Sequence, residues 1–99
     1  MNLIEKNRNH IKNICSRYKV SKLFVFGSVL TSRFTDKSDI DFIVDFENVA
    51  LSEYADNYFD LKSELEKVFN RKVDLLEDKG VRNPYLRKSI DSSKVLVYG

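Results

Sequence analysis

Apolar and polar residues alternate most regularly over residues 39–46, DIDFIVDF. Ile40, Phe42, Val44 and Phe46 fall on one side, and Asp39, Asp41, Ile43 and Asp45 on the other, which predicts a half-buried strand. Residues 51–69 follow a different period. Leu51, Tyr54, Ala55, Tyr58, Leu61, Leu65, Val68 and Phe69 recur at i, i+3, i+4, i+7 spacing, predicting a long helix with an aromatic core stripe and Ser52 as its N-cap. A second helical stripe, Ile4, Ile11, Ile14, Cys15 and Tyr18, predicts a helix over 3–18 with a weak patch at Asn7–Arg8. Leu23–Phe26, LFVF, is apolar on both faces and reads as a strand buried on both sides. Gly27-Ser28 ends it, with a short helix expected over Val29–Arg33.

Lys72–Leu76 reads as a third strand and Lys79-Gly80 as a break. Pro84 suits the first turn of a helix capped by Asn83, and Lys94–Tyr98 an edge strand. The order predicts one α/β (α+β) domain over residues 1–99, a small mixed sheet flanked by helices.

Composition narrows the classes. No apolar run approaches the roughly 20 residues that cross a bilayer, and MNLIEKNRNH has no apolar signal core, so neither membrane insertion nor export is expected. The single cysteine, Cys15, excludes an internal disulfide and fits a reducing cytoplasm. Its place on the apolar stripe makes it a core thiol; His10 lies off the stripe, as a surface histidine does. One Cys and one His leave no structural zinc set.

Charge is unevenly spread within a net +2. Residues 1–33 hold seven basic and one acidic residue, net +6; residues 34–78 hold five and thirteen, net −8; residues 79–99 hold five and one, net +4. That layout suits a phosphate-bearing ligand beside a metal, and equally suits solvated helix faces. Direct nucleic-acid binding is not expected.

The candidate chemistry lies in GSVLTSRFTDKSDID, residues 27–41. Alternation puts Asp39 and Asp41 on one face of a strand, their Cα atoms about 6.6 Å apart. Two carboxylates so placed can converge on one cation or bridge two, and magnesium takes one or two carboxylates plus substrate phosphates. Gly27 lets a phosphate approach the backbone, and Ser28 is expected to cap the short helix whose N–H groups would favour an anion. Asp74, the polar residue inside Val-Asp-Leu-Leu, is the candidate third carboxylate, or else an exposed edge position. Glu77 and Asp78 are weaker candidates at the same strand's end.

Phe26-Gly27-Ser28, ten residues, then Asp39-Ile40-Asp41, with Asp74 on a later strand and NPYLRKSI near the end, resembles the DNA polymerase β-like nucleotidyltransferase superfamily, and within it the minimal nucleotidyltransferases (MNT). The resemblance implies transfer of a nucleoside monophosphate, AMP foremost, from ATP or another triphosphate to a hydroxyl. It implies Asp39, Asp41 and Asp74 as catalytic ligands of a two-metal Mg2+ site, and Gly27 and Ser28 as the phosphate-holding pair. Many relatives carry an arginine three residues beyond the serine; here that position is Thr31 and the arginine is Arg33. On a helix, two residues turn a side chain by about 200°, so Arg33 joins the nucleotide-binding candidates in an altered position. Small members of the family pair with HEPN-domain toxins, which they neutralise by adenylylating a tyrosine. The resemblance therefore implies an antitoxin in a hetero-oligomer with such a toxin. The alternatives are a non-catalytic nucleotide-binding module that neutralises its partner by contact, and a transferase acting on a small molecule such as an antibiotic.

Overall fold

The computed structural model describes residues 2–99, with side chains from residue 3 onward. Its elements are α1 (Asn2–Lys6), α2 (Arg8–Arg17), β1 (Val20–Phe26), β2 (Ile40–Phe46), α3 (Leu51–Phe69), β3 (Val73–Glu77), α4 (Pro84–Ser93) and β4 (Val95–Tyr98). The four strands form one mixed sheet in the order β3-β2-β1-β4. β1 runs antiparallel to both β2 and β4, and β2 runs parallel to β3. The parallel pair needs a crossover, which α3 supplies.

The core lies on one face of the sheet. Leu23, Val25, Ile40, Phe42, Val44, Val73, Leu75 and Val97 meet Ile4, Ile11, Ile14 and Cys15 from α1 and α2, and Leu61, Leu65 and Phe69 from α3. Burial pushes the Cys15 thiol up to about 12, as befits a core residue. The long helix, the 39–46 and 72–76 strands and the closing edge strand stand where the pattern put them, within a residue or two. Asn83 caps α4 as expected, its Oδ1 accepting from the Tyr85 and Leu86 N–H groups at 2.9 and 3.1 Å.

Five details differ from the sequence reading. The first helix is broken at Asn7, whose Nδ2 donates to the Leu3 carbonyl at 2.9 Å and whose N–H turns tightly onto Ile4; a short amide side chain competes with the helix for backbone groups. LFVF is not buried on both sides: Leu23 and Val25 enter the core, while Phe24 and Phe26 are half-buried on a second face that α2 and α3 do not cover. Val29–Arg33 is not a helix. Gly27–Leu30 forms a 3-10 turn, closed by Thr31, whose N–H and Oγ1 both donate to the Ser28 carbonyl at 2.9 Å. Ser52 is not the cap of α3, which starts from Ala50 with no side-chain cap. Finally, only the later part of the α3 stripe is core: Leu51 is 92 % exposed and Ala55 is exposed. A 19-residue helix is about 28 Å long, whereas a seven-residue strand spans about 23 Å, so the first turns of α3 overhang the sheet.

Candidate active site

The second face carries two parallel rows, set by strand register. Leu76, Ile43, Phe24 and Leu96 are neighbours across all four strands and form an apolar row. α4 lies over this row: the Lys94 ammonium sits 4.4 Å from the centre of the Phe24 ring, and Ile90 is buried. The adjacent row is Asp74, Asp41 and Phe26, again direct register partners. Neighbouring strands lie about 4.8 Å apart, so parallel pairing sets the Asp41 and Asp74 carboxylates side by side on one face.

Gly27 follows Phe26 with φ +79, a conformation that glycine adopts without steric cost. Its missing side chain also makes room. A Cβ there would stand 2.3 Å from Asp41 Oδ2. The turn and the carboxylate thus press together, bringing Gly27-Ser28 backbone to the edge of the acidic row. Ser28 is half-buried, with its carbonyl spent on Thr31. Arg33 is exposed and lies outside any helix, so the helical rotation expected of it does not apply; its N–H bonds Thr31 Oγ1 at 3.2 Å.

The three aspartates differ in setting. Asp39 is exposed, one residue before β2; Asp41 is half-buried within it; Asp74 is exposed on the outermost strand. Among the described residues, no Lys, Arg or His pairs with any of them, although Asp45, Asp78 and Asp91 each have a basic partner. Burial first, and then the charges of Asp74 and Asp39, hold the Asp41 carboxyl above the usual carboxylate range. The acidic row therefore accumulates negative charge that no ion pair among the described residues neutralises.

That donor set fits a hard divalent cation: all carboxylate oxygen, partly desolvated, with a glycine cradle beside it. It does not form a closed cage. Among the described residues, no three His, Cys, Asp or Glu side chains stand close enough to hold a metal by themselves, so the three-ligand arrangement expected for Asp39, Asp41 and Asp74 is not preassembled. A magnesium ion needs no such cage, since one or two carboxylates suffice where waters and phosphate oxygens fill the rest of its shell.

The weaker candidates are engaged elsewhere. Glu77 accepts from the Tyr54 hydroxyl, and Arg87 Nη1 binds Asp78 Oδ1 at 2.8 Å. Burial and the Glu77 contact push the Tyr54 phenol well up. Tyr54, with Glu77, Asp45 and Lys79, lines a hollow of about 170 Å³ at the far ends of β2 and β3, away from Asp41 and Asp74. The sequence pattern did not single out Arg71, which binds the loop leading into Asp39; its signal was only a basic residue just before the third strand.

The fold and this row identify a class. The family model described as "Polymerase beta, Nucleotidyltransferase" matches residues 9–99, and the chain belongs to that family of nucleotidyltransferase enzymes. It is similar to a Methanocaldococcus jannaschii protein whose name marks it as a candidate protein adenylyltransferase, 37% identical over 90 residues, or 91% of this chain and 89% of the relative. A solved structure described as a candidate minimal nucleotidyltransferase superposes with a TM-score of 0.77 at 27% identity, covering 96% of this chain and 95% of that one. Two further structures share the fold at lower identity. One is a toxin–antitoxin with AMP-PNP (TM-score 0.73, 20% identity, 94% of this chain and 73% of that one). The other is a tri-AMPylated Shewanella oneidensis HEPN toxin in complex with MNT antitoxin (TM-score 0.67, 18% identity, 97% and 72%).

Proposed function

We propose that the protein transfers AMP from ATP to a hydroxyl on a partner protein, a tyrosine of a HEPN-type toxin, and so acts as a cytoplasmic antitoxin in complex with it. The observation that carries this reading is the register pairing of Asp41 with Asp74 beside a glycine whose absent Cβ makes room for the Asp41 carboxylate. The adenylyltransferase name of the 37%-identical relative supports the donor and the protein acceptor. The AMP-PNP and AMPylated-toxin complexes of the fold support the nucleotide and the partner class. No helix among the described residues is long and apolar enough to cross a membrane.

In this reading Asp39 and Asp41 would hold a cation on the triphosphate side, and Asp74 would serve the acceptor side. Bound magnesium supplies charge neutralisation at the α-phosphate and the leaving pyrophosphate. Gly27 and Ser28 present bare backbone to the phosphates, and Arg33, exposed nearby in sequence, supplies counter-charge from solvent. The acceptor hydroxyl attacks the α-phosphorus, the P–O bond to pyrophosphate breaks with its electron pair leaving on pyrophosphate, and the hydroxyl proton passes to the Asp74 carboxylate. Asp74 sits on the edge strand, open to solvent and to an incoming side chain.

The test is AMP transfer to a co-expressed HEPN-type partner, read by mass, with Asp74→Asn as the variant. The wild type should add one or more AMP units. Asp74→Asn should retain Mg-ATP binding by calorimetry and add none, or at least about a hundredfold less. Neutralisation by a wild type that binds Mg-ATP yet leaves no mass shift would make the protein a contact neutraliser instead.

A further inference from the structure

We propose that Arg71 is a positioning residue for the carboxylate row, acting through the 34–38 loop that delivers Asp39; the proposal rests on the nucleotide-site reading above. Arg71 leaves the chain directly after α3, where Asn70 turns left-handed at φ 51. Its Nη1 donates to two carbonyls of the loop, Thr35 and Ser38, each at 3.0 Å, across 36 and 33 residues of sequence. Its guanidinium stacks over the Phe34 ring at 4.6 Å. Its Nε is shut off from solvent and has no partner among the described residues, so the group is seated in a slot and is not waving at the surface.

Beyond Phe34, which packs against the core at the loop's start, the loop has little else to hold it. Thr35, Asp36 and Lys37 are exposed. Within it the Thr35 N–H donates to Ser38 Oγ at 3.0 Å, and the Ser38 N–H returns to the Thr35 carbonyl at 3.0 Å, closing a small turn. That turn is anchored to the domain by Arg71. Ser38 immediately precedes Asp39, and the next backbone bond is Ile40 N–H to the Lys72 carbonyl at 3.2 Å. Asp39 is thus bracketed by consecutive residues of the α3–β3 connection: Arg71 grips the residue before it, and Lys72 the residue after. Asp74 follows two residues later, as the second residue of β3. A single segment therefore sets the position of Asp39 relative to Asp74. Cation stacking and a planar fork that reaches two carbonyls are what arginine offers and lysine does only in part.

The test uses Arg71→Ala and Arg71→Lys in the full chain. Amide exchange in metal-free protein is the readout independent of activity. In Arg71→Ala the Ser38 and Ile40 amides should exchange at least about tenfold faster, with Leu61 and Leu65 amides in α3 unchanged; Arg71→Lys should fall between. Mg-ATP affinity should drop about tenfold or more in the alanine variant, the scale seen when an outer support of a metal site is removed, with partial rescue by lysine. Unchanged Ser38 and Ile40 exchange, or acceleration shared equally by α3, would show no local role and overturn the proposal. So would a loosened loop with undiminished Mg-ATP affinity. Failure of the wild type itself to bind Mg-ATP would instead remove the nucleotide-site reading, and the proposal with it.

Discussion

On one face of the sheet, Leu23, Val25, Ile40, Phe42, Val44, Val73 and Leu75 are no more than 3 % exposed and lie under α2 and α3. On the other, an apolar row under α4 adjoins Asp41 and Asp74, which stand side by side with no basic partner among the described residues. The same strands build both faces, residue by alternate residue. Phe42 and Asp41 are neighbours in sequence, yet one is fully buried and the other adds repulsion. The helix-covered face repays the entropy of folding through apolar burial. The open face keeps a charge cluster that costs stability in the free protein and that, in the proposed function, a cation bound with a triphosphate would neutralise. The pleat of β2 thus sets Phe42 and Asp41 apart, and substitutions at these two positions should differ in sign as well as size.

The largest expected effect lies on the covered face. Phe42→Ala removes a ring that packs on Phe69 at 5.9 Å between centroids, and should cost about 3–5 kcal/mol in denaturant unfolding. In a domain of this size that is a large share of the total stability. Next comes Gly27→Ala, at the boundary of the acidic row. The added Cβ would meet Asp41 Oδ2 at 2.3 Å and would hold a positive φ, so a loss of about 1–3 kcal/mol is expected. Because Asp41 must move, AMP transfer should fall far more than stability does. A Gly27→Ala variant with wild-type transfer would break the link between that turn and the carboxylate.

Asp41→Asn should act in the opposite direction. The folded protein holds the Asp41 carboxyl above its ordinary value, so the native state binds the proton more tightly than the unfolded chain. Stability from this group is then highest below the unfolded value and declines as pH rises through the folded one. Above the folded value the penalty is fully present, and asparagine removes it. Metal-free melts should show Asp41→Asn up to about 1 kcal/mol more stable than wild type, discounted for its half-exposed setting. The variant should also lose the wild type's downward slope just above the usual carboxylate range. The smallest effect is at Cys15, buried on the covered face with its thiol raised to about 12. A thiol reagent at neutral pH should label it only as fast as the domain unfolds.

Much of this was legible in the chain because it obeys two periods. The α3 stripe and the alternation of β2 located both elements closely, and alternation alone put Asp41 opposite Phe42. The Gly27-Ser28 and Asp39-Asp41 spacing carried the family. What the sequence could not show depends on neighbours distant along the chain. LFVF reads as doubly buried until the helices are known to cover one face. Nothing local to Asp74 reveals that it pairs with Asp41 in register. The 3-10 turn at Gly27–Leu30 follows from Thr31 bonding back to Ser28, a competition between side chain and helix that composition does not decide. Arg71 was invisible because its meaning comes from carbonyls 33 and 36 residues away.

On the proposed function, the open face trades free-state stability for a cation and a nucleotide. The direct measurement is a pair of thermal melts, wild type and Asp41→Asn, each metal-free and with Mg-ATP. At a hundred times its Kd, a ligand adds about 2.7 kcal/mol to the native state, roughly 10–20 °C for a domain of this size. The wild type should start lower and rise by that order with Mg-ATP, while Asp41→Asn should start at or above it and fail to rise. An Asp41→Asn protein that melts well below wild type without ligand, or that gains the full shift with Mg-ATP, would contradict the account.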